Sequence, residues 1–113
     1  MTCDAFDVVA VPFPFTDSTR TLRRPALVLS SSAFNAHGSS VMAMITDARN
    51  ATFPLDTPID HRAVTLKMAS VVRMKFFTLD NRLIAKRIGR LPVADQQRVI
   101  ACLGSLFPSE TRL

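Results

Sequence analysis

The chain has 113 residues, a net charge of +5 and 48% hydrophobic residues. That length suits one domain spanning 1–113, with a single modest core that an oligomeric interface would help to stabilise. The basic excess is mostly arginine, eleven Arg against three Lys, and the pI is about 10.2. Arginine's planar fork matches phosphate oxygens and stays charged at biological pH. A polyanionic partner is one reading, and a merely basic surface is the other. The two cysteines, Cys3 and Cys102, lie at opposite ends, and His37 and His61 stand apart. No metal-ligand spacing results, so neither a metal nor a cofactor is expected. The thiols read as reduced and cytosolic, and Cys102 falls in an apolar pattern that predicts core packing. No basic-then-apolar leader and no apolar run of roughly 18 residues is seen, which argues against export or a membrane span. A cytoplasmic protein is the expectation.

Asp7 to Phe15 predicts a first strand, with Val9, Val11 and Phe13 on one side and Val8 and Ala10 on the other. Pro12 and Pro14 lack the N–H for a ladder and predict a sheet edge or a turn at its end. Thr16 to Leu22 is a polar loop. Pro25 to Ser30 is a short apolar run of buried-strand type, and Ser30 to Ser40 is a loop with one helical turn around Ala33 to Asn35. Val41 to Thr46 predicts a third strand, and Asp47 to Asp60 is turn-rich. Val64 to Met68 reads as a short strand, Ser70 to Phe77 as a longer one, and Asn81 to Gly89 as carrying another. From Pro92 the apolar period changes to helical spacing at Val99, Ile100, Leu103, Leu106 and Phe107, so the chain closes with an amphipathic helix. The predicted class is mainly β (β-rich α+β), a small bent sheet or barrel with a C-terminal helix.

Several segments in order carry a family resemblance. They are Asp7-Val8-Val9, Phe13-Pro14-Phe15-Thr16-Asp17, Arg23-Arg24-Pro25-Ala26-Leu27-Val28-Leu29-Ser30, Ile45-Thr46, Ser70-Val71-Val72-Arg73, Phe77-Thr78-Leu79-Asp80 and Ile88-Gly89. Together they span roughly residues 6 to 107, and the ordered set resembles the MazF/PemK toxins of bacterial toxin–antitoxin pairs. The resemblance implies an SH3-like barrel of the CcdB/PemK type and a homodimer. It implies metal-independent, sequence-specific cleavage of single-stranded RNA by 2′-OH attack, leaving 2′,3′-cyclic phosphate and 5′-OH ends. It also implies a cognate antitoxin whose disordered acidic tail lies along the toxin.

Such cleavage needs a base for the 2′-OH proton, a cation for the charge on phosphorus, and an acid for the leaving 5′-oxygen. By the resemblance Arg24 clamps the scissile phosphate, with Pro25 biasing its backbone toward an extended form; otherwise it is a surface arginine at a strand end. Thr46 supplies a hydroxyl to a phosphate oxygen, or is an ordinary β-branched strand residue. Asp47 stands where relatives often have Ser. It either acts as a base, orients Arg24, or caps the following turn. Arg20, Arg23, Ser70, Arg73 and Lys75 are the expected RNA contacts by the resemblance, with a solvated strand face as the other reading of Arg73 and Lys75. In the PemK branch an Asp two places after the arginine supplies the base, but here that place is Lys75, normally protonated, so the base is unassigned. Of Phe76 and Phe77, at least one is expected in the core, because adjacent strand residues face opposite sides. The Gly that usually precedes the first strand's Asp is Phe6. Two alternatives to cleavage are a CcdB-like gyrase poison of the same fold and a degenerate member that only binds RNA or its partner. The tail Pro108-Ser-Glu-Thr-Arg-Leu113 shows no gyrase-poison motif.

Overall fold

The computed structural model describes residues 1–13 and 22–108. The strands are β1 (Asp7–Phe13), β2 (Leu22–Val28), β3 (Ser39–Asp47), β4 (Thr57–Ile59), β5 (Ser70–Asp80) and β6 (Lys86–Arg90). Helix α1 is Ser32–Asn35, a 3-10 turn spans Asn81–Leu83, and helix α2 is Val93–Leu106. All six strands join one antiparallel sheet in the order β4-β5-β3-β2-β1-β6. It curls into a half-barrel, and α2 follows β6 at the end of the chain.

Strand alternation builds the two sides of the sheet. Val8, Leu27, Ala43, Ile45 and Val72 form one core with Leu91 of the β6–α2 connection and Val99 of α2. Val9, Val11, Ala26, Val28, Met42 and Leu79 form the other with Cys3. Each fully buried side chain of this kind contributes about 2 kcal/mol, so β1, β2 and β3, apolar on both faces, carry most of the fold. The apolar spacing of α2 is only partly used. Val99 is buried, Cys102 and Leu103 are half-buried, and Ile100, Leu106 and Phe107 are exposed. Cys102 therefore sits at the core margin rather than within it, its Sγ 3.1 Å from Thr57 Oγ1. Polar contacts fasten the helix as well. Asp95 accepts the Asp60 N–H at 2.9 Å and pairs with Arg98, which also donates to the Pro58 carbonyl.

The expected strands of the first half are present, and β5 runs to Asp80 rather than Phe77. Pro12 fits its edge role. β6 pairs with β1 only over Asp7 to Ala10, so Pro12 lies beyond the ladder's end on that side. Pro14 lies outside the described residues. Two expectations are corrected. The turn-rich stretch after Asp47 contains a short strand, β4, paired with β5 through Thr57↔Val72. Val64 to Met68 is not a strand. Thr65 has φ 57°, a left-handed backbone that no strand residue adopts, and buried Val64 instead anchors this loop on β6. The anchoring is close: a Cβ on Gly89 would come 3.1 Å from Val64 Cα. Phe6 too is left-handed, with φ 71°, in a turn closed by Asp7 N–H to the Asp4 carbonyl. Its ring is packed against the first core, which offsets the strain that a glycine would not have.

Candidate active site

The β2–β3 ladder ends at Ala26↔Met44, although β2 begins at Leu22 and β3 continues to Asp47. Pro25, next to that last pair, has no N–H to extend it. Continuing the same register two residues further sets Arg24 opposite Thr46, on the face shared by Ala26 and Met44. The strands part there, and two concavities open, each about 230 Å³. Arg24, Pro25, Ile45 and Thr46 line both.

The first concavity is completed by Val11, Phe13, Met44 and Phe77, and is largely apolar. The second adds the polar side chains of Asp47, Asn50, Lys67 and Ser70 beside Leu66 and Met68. Arg24 is exposed and makes no ion pair or hydrogen bond through its side chain with a described residue. The same is true of Lys67. Two cations without counterions on one hollow attract a polyanion. The hydroxyl of Thr46 accepts from the Asn50 side-chain amide at 2.7 Å.

Asp47 follows the turn-capping reading. Its Oδ1 accepts the Arg49 N–H at 2.9 Å, and its carboxylate takes the Arg49 guanidinium, with the shortest contact 2.7 Å. The guanidinium and then the backbone N–H of Arg49 hold its carboxyl below the usual range, which weakens it as a base. Its ion-pair partner is Arg49 and not Arg24. Ser70 is buried, donates to the Met68 carbonyl at 2.7 Å, and stands opposite Asp47 in the sheet. It shapes the wall of the second concavity.

The other expected contacts lie elsewhere. Arg73 is on β5 opposite Met44, but its guanidinium turns to the loop before β4, donating to Asp56 at 3.1 and 2.8 Å and to the Ala51 carbonyl at 2.6 Å. Arg73 and Lys75 both lie over the Phe53 ring, 5.7 and 5.0 Å from its centre, and neither lines either concavity. Arg23 alternates to the opposite face from Arg24 and borders a separate hollow with Pro12, Arg82 and Leu83. Arg20 lies outside the described residues. Phe77 is half-buried against the second core, while Phe76 is exposed. Among the described residues no three His, Cys, Asp or Glu side chains gather as a metal site requires, and no helix is long and apolar enough to cross a membrane.

Asn50 and Lys67 were not legible as site residues. Asn50 sits in a stretch recognisable only as turn-rich, and Lys67 follows the left-handed bend at Thr65, which no β-branched residue announces.

Comparison with known proteins agrees with this fold. The sequence profile of a family described as PemK-like, MazF-like toxin of type II toxin-antitoxin system matches residues 4–107. The crystal structure of MazF from Deinococcus radiodurans superposes with a TM-score of 0.73 at 26% identity, covering 94% of this chain and 96% of that one. The same organism's MazE-MazF structure gives a TM-score of 0.75 at 27% identity, with the same coverage. An endoribonuclease in complex with its cognate antitoxin from a mycobacterial species shares the fold, with a TM-score of 0.72 at 15% identity over 96% of this chain and 97% of that one. Among curated proteins, none matches this chain in sequence.

Proposed function

The chain belongs to the PemK-like, MazF-like toxins of type II toxin–antitoxin systems, and on that premise we propose that it is an endoribonuclease cutting single-stranded RNA without a metal at the mouth between β2 and β3. One observation carries the reading: Arg24, a cation with no partner among the described residues, and the hydroxyl of Thr46 border the same two concavities. In the proposed reaction the ribose 2′-oxygen forms a bond to the adjacent phosphorus and the bond to the 5′-oxygen breaks. The 2′-OH loses its proton and the 5′-oxygen gains one, giving a 2′,3′-cyclic phosphate and a 5′-OH end. Negative charge builds on the non-bridging oxygens between those events. A guanidinium fork and a hydroxyl donor aimed at that charge lower the barrier, because they are already in place when it develops.

The two concavities suggest how RNA lies. The hollow with Val11, Phe13, Met44 and Phe77 suits a base, and the hollow carrying the Lys67 cation suits the phosphodiester on the other side of Arg24. Arg73 serves this site indirectly, by holding the loop that carries Phe53 and Asp56.

The same cationic mouth suits an acidic segment of an antitoxin, which would cover Arg24 and block RNA. A second copy of the chain is supported by a separate apolar hollow formed by Leu29, Val41, Phe76, Leu103 and Phe107, where Phe107 at the end of α2 is 61% exposed. Mixed-sequence RNA incubated with the purified protein in EDTA, followed by mapping of the new ends, tests the activity. Fragments with 5′-OH ends are expected; intact RNA, or binding without breakage, would leave the chain a non-catalytic member.

A further inference from the structure

Thr46 does not present an unconstrained hydroxyl. A hydroxyl has one proton and two acceptor lone pairs, and the Asn50 amide engages one lone pair by donating to Oγ1 at 2.7 Å. With Asn50 as donor, the Thr46 proton must be directed elsewhere. The space beside it is the second concavity, which Thr46 and Asn50 line together with Arg24 and Lys67.

The chain builds this contact by a turn. Asn50 N–H donates to the Asp47 carbonyl at 3.0 Å, and Asp47 Oδ1 caps the Arg49 N–H at 2.9 Å. Arg49 clamps the Asp47 carboxylate from outside. The backbone thus reverses directly after β3, and the side chain of residue 50 comes to rest on that of residue 46. Asp47, the carboxylate that could have served as a base, instead holds this turn in place.

We propose that Asn50 is a positioning residue for cleavage: it locks the Thr46 hydroxyl with its proton aimed at a non-bridging oxygen of the phosphodiester held by Arg24. The proposal rests on the endoribonuclease reading above. The donor is oriented before charge develops, so no reorientation accompanies the reaction. Asn50 itself touches neither the reacting atoms nor the leaving group; its whole effect passes through Thr46.

The test is a double-mutant cycle of Asn50→Ala and Thr46→Val, read as kcat, KM and Tm on a short RNA containing a mapped cleavage site. Asn50→Ala is expected to lower kcat about tenfold, part of what loss of an oxyanion donor costs, with KM and Tm unchanged. In the Thr46→Val background the same substitution should have no further effect, because its route is already cut. Asn50→Asp keeps the shape and turn preference but replaces the donor by an acceptor, and should lose at least as much. Wild-type kcat in either Asn50 variant, or an equal loss with and without Thr46, overturns the proposal. If RNA cleavage depends on Arg24 but not on Asn50, only this proposal falls. If the unsubstituted protein fails to cut RNA, or Arg24→Ala cuts it fully, the endoribonuclease reading falls and takes the proposal with it.

Discussion

Arg73 closes a two-pronged ion pair on Asp56, with nitrogen–oxygen distances of 3.1 and 2.8 Å and both side chains 13% exposed. The resemblance offered Arg73 as an RNA contact, with Lys75 standing where one branch of the family has the basic carboxylate. The loop before β4 supplies a carboxylate, Asp56, which takes Nε and one terminal nitrogen of the guanidinium. Arg73 is a latch.

A latch predicts a stability phenotype. Arg73→Ala should lower Tm by roughly 5 °C or more, as expected for a small domain losing an interaction of this class, and should release the loop through Ala51 to Asp56 to proteolysis. Arg24→Ala, exposed and without a partner among the described residues, should leave Tm unchanged. Thermal unfolding of the two variants side by side checks the contrast.

The same pair predicts a pH dependence. The hydrogen bond from the Arg73 guanidinium holds the Asp56 carboxyl below its ordinary value of 3.8. A carboxyl more acidic in the folded chain stabilises it fully above the unfolded value. That stabilisation disappears as pH falls through the lowered folded value. Asp56→Asn should therefore be less stable than the parent at neutral pH, with the gap narrowing below about pH 4. Denaturant titrations across that range measure it.

Leu55 sits where a glycine would be easier. Pro54 and Leu55 are the central residues of a turn closed by Asp56 N–H to the Phe53 carbonyl at 3.1 Å, and Leu55 has φ 64°. Pro followed by a positive φ is the type II pattern, which favours glycine at the second place. Leu55→Gly should raise stability by about 0.5–1 kcal/mol by relieving a left-handed side chain. A higher Tm with unchanged RNA cleavage is the expected outcome.

These turns mark where the sequence was hard to read. The strands were legible because Val8, Val9, Val11, Leu27 and Val28 are apolar wherever the sheet is buried on both sides. Arg24 and Thr46 were legible as site candidates only through the resemblance of the Arg24-Pro25 and Ile45-Thr46 segments to the toxin family; pattern alone left a surface arginine and an ordinary β-branched strand residue. The partners were not. Asp56 meets Arg73 only after Leu55 takes a backbone form that its side chain disfavours, and Lys67 reaches the site past the same kind of bend at Thr65. Left-handed β-branched and leucine residues leave no pattern in sequence, so the loops they build, and the contacts those loops make, emerge only in three dimensions.

Oligomeric state has its own test. The apolar hollow bordered by Phe76, Leu103 and Phe107, proposed to meet a second copy, should not tolerate charge. Phe107→Asp is expected to shift the chain from dimer to monomer in sedimentation velocity without loss of secondary structure. A variant that sediments as the parent does would place the interface elsewhere.

The most direct measurement compares purified parent and Arg24→Ala on one RNA carrying a mapped cleavage site, as single-turnover rates at equal protein concentration in EDTA. A guanidinium that holds the transition-state charge is worth about two to three orders of magnitude in rate. The expected result is a loss of that size, with Tm and circular dichroism unchanged. Cleavage by Arg24→Ala at the parent rate would contradict the assignment of the β2–β3 mouth as the place where RNA is cut.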